Sequence, residues 1–150
     1  MNGPITQDVR IDRVANAAAA AQTEVLTSVL DMQGYDGVLF LALLGDVADT
    51  SVLTLTAKEN TASSTSSPTP TAVSGGAATF TAGASNADNK VLAVDVVCPT
   101  KRFVFGSLTR TTANAVVDGI VAVRYKAHAK PVVNDGFLAS ALTILGGPAA

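Results

Sequence analysis

The chain has 150 residues, of which 48% are apolar, 15% charged and 5% aromatic, and its net charge is −2. That length makes one domain able to bury roughly 70% of its unfolded surface without disulfides or metal. The slight acidity excludes a general nucleic-acid binder, one cysteine excludes an intrachain disulfide, and no segment reaches the ~20 apolar residues of a membrane helix.

Met1–Arg13 is polar and acidic and does not read as a secretory signal. Within it, Val9 and Ile11 alternate with charged residues, which predicts a first short strand near Asp8–Val14. The alanine run Ala17–Ala21 favours helix but is too short to stand alone, so a loop or single turn is expected. Glu24–Leu30 reads as a second strand.

Asp31–Gly37 is a turn-rich heptapeptide in which Gly34 and Gly37 can supply positive φ. It leads into Val38–Leu44, seven apolar residues in succession. Such a run predicts a strand buried on both faces, about 23 Å long at 3.3 Å per residue. Gly45–Asp49 reads as a turn. Val52–Ala57 alternates apolar residues with threonine, as a half-exposed strand does.

Asn60–Gly76 is dominated by Ser, Thr, Pro and Gly and predicts an exposed excursion. Ala78–Ala82 is expected as a short edge strand and Gly83–Asn89 as a turn. Lys90–Val97 alternates and is closed by Pro99. Arg102–Thr109 and Val116–Tyr125 complete the set, with Gly119 marking a bulge or a close backbone approach. Seven or eight short strands at this spacing predict an all-β chain, a β-sandwich or jelly roll. The sandwich would span residues 1–126, and residues 127–150 would form an extended C-terminal arm. Phe137–Leu145 is apolar again, unlike a disordered tail, and is expected to dock on a neighbouring subunit.

Charge is uneven along the chain. Residues 1–89 hold three basic and nine acidic residues, and residues 90–150 hold seven basic and three acidic ones. Such polarity can orient a protein on a charged partner, although the two halves of a sandwich interleave. A charge-poor surface suits either a protein covered by partners or a small domain with a Ser/Thr/Ala-rich exterior.

Little in the chain points to catalysis. His128 and Cys98 are the only residues of their kinds. Cys98, between Val97 and Pro99, reads as a small buried hydrophobe, so a nucleophilic pair with His128 is not expected. Zinc ligands are too few. Asp46 with Asp49, and Asn86 with Asp88 and Asn89, offer oxygens but read as turn residues bonding their own backbone. Gly75-Gly76 and Gly146-Gly147 lack the strand–loop–helix context of a phosphate site. Nothing singles out a carboxylate pair for glycoside hydrolysis. Lys101-Arg102 with Phe103 and Phe105 resembles a nucleic-acid platform, yet the aromatics alternate as core residues do. No cofactor, metal or enzymatic activity is expected.

Two segments carry a family resemblance. Asp31–Gly45, DMQGYDGVLFLALLG, resembles a segment of small structural proteins of tailed bacteriophages. Asn89–Tyr125 resembles the same group, in a strand, a Pro-Thr-Lys-Arg-Phe turn and strand, a TANAVVDG turn and an apolar strand ending in Tyr125. The resemblance implies a head decoration or cement protein on the outer surface of the virion head, made in the bacterial host cytoplasm. Its implied partners are the major capsid protein and further copies of itself, as a dimer or trimer, with no membrane and no specific nucleic acid. Candidate contacts are Val9 and Ile11, the basic group Lys126, His128 and Lys130, and Phe137, Leu138 and Leu142 of the arm. The rivals are a neck or tail protein and a carbohydrate-binding adhesion module. The latter usually exposes aromatic rings, and this chain has no Trp and two Tyr, Tyr35 and Tyr125.

Overall fold

Apolar alternation along the chain resolves into antiparallel strands. The computed structural model describes residues 4–84, 86–134 and 136–140. Its elements are a single helical turn α1 (Ile5–Asp8), then β1 (Arg10–Ala15), β2 (Ala18–Ala21), β3 (Val25–Leu26), β4 (Leu30–Asp31), β5 (Tyr35–Val47), β6 (Val52–Asn60), β7 (Thr71–Thr81), β8 (Val91–Val97), β9 (Phe103–Thr111) and β10 (Ala115–Ala127). One sheet runs β1-β10-β5-β8, with β2 also paired to β10. The other runs β3-β9-β6-β7, with β4 also paired to β9. The chain is an all-β sandwich.

Between the sheets, alternate residues of the long strands meet. Val38, Phe40 and Ala42 of β5 join Leu55 and Ala57 of β6, Val104 and Leu108 of β9 and Val117, Ile120 and Ala122 of β10. A smaller cluster of Leu44, Val47, Leu53, Ala82, Ala87 and Ala115 closes one end.

Several sequence expectations need correction. Ala18–Ala21 is a strand, because Ala18 and Ala21 pair with Val117 and Ala115 of β10. Tertiary pairing overrides the helix preference of four alanines. Glu24–Leu30 is not one strand: β3 and β4 are separated by buried Thr27, whose hydroxyl accepts the Gly106 N–H at 2.8 Å. The chain does not turn at Gly45, since β5 continues to Val47, where Asp88 accepts the backbone N–H at 2.9 Å. The polar excursion is shorter than Asn60–Gly76, since β7 begins at Thr71. Cys98 is exposed, not buried, and sits at φ 52° where β8 ends.

The glycines divide by role. Gly34 takes φ +89° in the turn, as expected, but Gly37 lies in extended backbone within β5. Gly119 has φ +145° and falls in a stretch of β10 where the register to β5 shifts, so the expected bulge is present.

After β10 the chain returns to its own N-terminal segment. Lys130 pairs with the buried carboxylate of Asp8 at 2.9 Å. Val132 N–H donates to the Gln7 carbonyl. Asn134 accepts from Ile11 N–H at 2.8 Å and donates to the carbonyls of Thr6 and Val9. The first part of the C-terminal segment is thus held along α1 and β1.

Candidate interaction face

The two outer faces of the sandwich differ in chemistry. On the β3-β9-β6-β7 sheet, the ladder sets Thr54 beside Thr79 and Thr109, Thr56 beside Ser107, and Val52 between Thr81 and Thr111. Thr54 and Thr79 share a hydroxyl hydrogen bond of 3.1 Å. Hydroxyls along a pleat suit water.

The outer face of the β1-β10-β5-β8 sheet is largely aliphatic, a dry face with the exposed charges Arg13 and Asp95 toward its two edges. One row across it reads Ile11, Val123, Leu39, Asp95, and the next reads Arg13, Val121, Leu41, Ala93. A third sets Leu43 opposite Val91. Among these, Leu43 is 38% exposed, Val91 50%, and the neighbouring Val97 56%. Val38–Leu44 is therefore covered on one face only. Val38, Phe40, Ala42 and Leu44 point into the core, whereas Leu39 and Leu41 are half-buried and Leu43 is open. Among the described residues no further sheet packs over this side. A face four strands wide and about seven residues long has a footprint on the order of 400 Å², Arg13 and Asp95 included, within the range of the largest patch on an ordinary monomer, which is often functional.

One corner of the face is polar. The Tyr125 ring lies over Gly37 and its hydroxyl donates to Asp95 Oδ1. Burial, and then the Asp95 carboxylate, push the Tyr125 hydroxyl well above its ordinary pKa, so it remains a donor.

Part of the charge polarity of the sequence is met within the molecule. Arg124 pairs with Asp12 at 2.6 Å, Arg102 with Asp31 at 2.7 Å, Lys130 with Asp8, and His128 with Asp36 at 2.6 Å. Arg102, Arg124 and Lys130 of the C-terminal half thus meet carboxylates of the N-terminal half, and the His128 ring lies against another. Arg110 is buried and donates to the carbonyls of Thr23, Ala19 and Ala115, and burial lowers its pKa.

The expected contact residues scatter. Val9 is 3% exposed, so its side chain belongs to the core and is not available to a partner. Ile11 is half-buried on the dry face. Lys126 and His128 are exposed at the end of β10. Phe137 is exposed and Leu138 half-buried; Leu142 lies outside the described residues. The dry face thus gathers Ile11 alone from the expected set. Its remaining members were missed, although apolar residues at both parities of β5 and β10 were the available signal.

An open groove of about 460 Å³ lies at one end of the sandwich, lined by Met32, Tyr35, Asp36, Cys98, Lys101 and Arg102 among others. Glu59 shapes it, accepting from Thr100 N–H and hydroxyl and from Lys101 N–H. Its cations are already engaged, Arg102 by Asp31 and Lys101 by the Thr71 hydroxyl. Among the described residues there is no group of three or more His, Cys, Asp or Glu poised to hold a metal, and no helix long and apolar enough to cross a membrane. Tyr35 packs beneath the Arg124 guanidinium at 5.0 Å. Both tyrosines are therefore occupied within the chain.

Fold and face together define an all-β sandwich with one hydroxyl-rich and one largely aliphatic exterior. No family model and no curated protein matches the chain. Among solved structures, the chain is similar to one reported under "Bacillus endospore appendages form a novel family of disulfide-linked pili", with 19% identity and a TM-score of 0.45 over 83% of this chain and 92% of that one.

Proposed function

We propose that this chain is a structural subunit of a tailed-phage virion, a decoration or cement protein that binds the outer lattice of the head. The dry outer face carries the reading. Leu43 and Val91 are exposed on it, and Leu39, Leu41, Val121 and Val123 are apolar positions that the chain itself covers only in part. Water-exposed aliphatic rows cost free energy unless a partner covers them. A subunit whose partner is a capsid lattice meets that condition, and the sequence resemblance of Asp31–Gly45 and Asn89–Tyr125 supports a place in the virion. The partner is the major capsid protein.

Purified particles of the encoding phage test the reading. Hundreds of copies per head, and heads that open at lower temperature when the protein is missing, are expected. Leu41→Lys and Val121→Lys should keep the fold and lose head binding. About a dozen copies per particle would move the protein to the neck or tail. Absence from purified heads, with unchanged heat stability, ends the proposal.

A further inference from the structure

The sandwich has four sheet edges, and three of them are blunted. At β1, Asn134 occupies the backbone groups of Val9 and Ile11. At β7, the register to β6 breaks between the Thr56–Ala77 and Lys58–Ala72 pairs, and Gly75 takes φ +73°. The edge made by β3 and β4 consists of two two-residue strands. Bulges, plugs and short strands are how proteins keep sheet edges from pairing.

The fourth edge, β8, has none of these devices. It pairs with β5 without a register shift from Gly37–Val97 to Leu43–Val91, and among the described residues no strand lies on its other side. It contains no proline, and its one charge, Asp95, is bound by the Tyr125 hydroxyl. Leu44 N–H donates to the Lys90 carbonyl and Cys98 N–H to the Asp36 carbonyl. Residues 90, 92, 94, 96 and 98 therefore bond toward β5. By the alternation of an antiparallel ladder, Val91, Ala93, Asp95 and Val97 turn their N–H and C=O groups to the open side.

We infer that β8 pairs with β8 of a second copy, antiparallel and centred on Val94. The occupant follows from self-complementarity. About Val94, the outward-bonding residues fall in the pairs Val91–Val97 and Ala93–Asp95, each made twice. The two most exposed valines of the face cover each other, and each Asp95 meets an alanine. Sliding two residues one way sets Asp95 against Asp95. Sliding the other way sets Ala93 against itself and leaves Val97 unpaired. Like charges directly opposed destabilise a strand pair, so the centred register is the one the sequence favours.

The two-fold axis then runs perpendicular to the sheet. Both dry faces lie on one side of a continuous sheet ordered β1-β10-β5-β8 and back again. Their joint area is about twice that of one copy, close to the roughly 800 Å² per partner of a standard interface. Pairing does not depend on the virion reading: absence from phage heads would end that reading and leave the dimer untouched.

Sedimentation equilibrium on the full chain across micromolar concentrations tests the inference. The wild type should be a dimer. Val91→Lys with Val97→Lys should weaken association at least 100-fold while leaving the circular dichroism and melting profile intact. Val91→Lys with Val97→Glu should restore the dimer, since each lysine then faces a glutamate of the other copy. In a mixed-isotope wild-type sample, an intermolecular NOE between Ala93 and Asp95 is expected, which needs no variant to fold. A monomeric wild type overturns the inference. So does a dimer indifferent to the two lysines, one that the charge pair fails to restore, one without the NOE, or one abolished only by truncation after Ser140, which would assign the contact to residues 141–150.

Discussion

The Tyr125 ring lies so close over Gly37 that a Cβ placed there would sit 2.2 Å from the ring Cζ. Gly37 is thus a packing glycine, required by a neighbour and not by its own backbone. Gly37→Ala must swing the ring aside and break its hydrogen bond to Asp95. A destabilisation of about 1–3 kcal/mol is expected, the usual cost of overpacking. Urea unfolding of a double-mutant cycle checks it: with Tyr125→Ala already present, Gly37→Ala should cost almost nothing.

Asp31 and Arg102 make the chain's pH dependence in acid readable. Hydrogen bonds from Arg102 hold the Asp31 carboxyl down at about 2, against the opposing effect of burial and with help from Gln33 N–H. The folded chain therefore binds this proton more weakly than the unfolded chain. The pair's contribution is complete above the ordinary carboxyl value of 3.8 and is lost as pH falls toward 2. Both side chains are largely exposed, so the contribution is small and shrinks in salt. NMR titration should find the Asp31 carboxyl back near its ordinary range in Arg102→Met. That variant should also lose less stability than wild type between pH 4 and pH 2.

Arg124 and Asp12 form a different kind of pair, with side chains only 11% and 3% exposed. Arg124 also donates to the Asp31 carbonyl and covers Tyr35. Asp12→Ala leaves a buried guanidinium without its counter-ion and should cost about 3–5 kcal/mol. Replacing both, as Asp12→Leu with Arg124→Met, should cost clearly less than Asp12→Ala alone. Chemical denaturation of the two variants decides; equal losses would mean that the cost is the loss of the Asp12 contacts and not an uncompensated charge on Arg124.

The long strands were legible because each carries its own alternation or apolar run. Val52–Ala57, Lys90–Val97 and Val116–Tyr125 need no distant information to read as strands. Ala18–Ala21 was not legible, since its strand state is imposed by β10 and by Arg110, which reaches the Ala19 carbonyl from β9. Cys98 looked buried because its neighbours are apolar, yet β8 ends there and the chain turns out at positive φ. The dry face was hidden for a more general reason. An apolar run such as Val38–Leu44 announces that both faces want cover, but it is silent on whether the second cover comes from the same chain. Only the pairing of Leu39, Leu41 and Leu43 with outward residues of β8 and β10 separates the two cases.

The Ser/Thr/Pro segment after β6 is organised by one buried side chain. Asn60 is 1% exposed. Its Nδ2 donates to the carbonyls of Ser64 and Pro68 at 2.8 and 2.9 Å, while Oδ1 accepts from the N–H groups of Thr61 and Ala62. Ser64 adds a second layer, its hydroxyl accepting from Ser66 and Ser67 N–H. A polar loop with no apolar residue larger than alanine or proline is thus tied by hydrogen bonds alone. Asn60→Ala removes four of them and leaves the partly buried Ser64 and Pro68 carbonyls without this donor, at about 1–3 kcal/mol. Asn60→Asp keeps the acceptor and loses both donors, so it should free Ser64 and Pro68 while Thr61 stays bound. Limited proteolysis within residues 61–70 should therefore speed up in both variants. Hydrogen exchange at the Thr61 amide should rise in Asn60→Ala but not in Asn60→Asp, whereas equal protection in all three proteins would show that the loop is held by contacts other than Asn60.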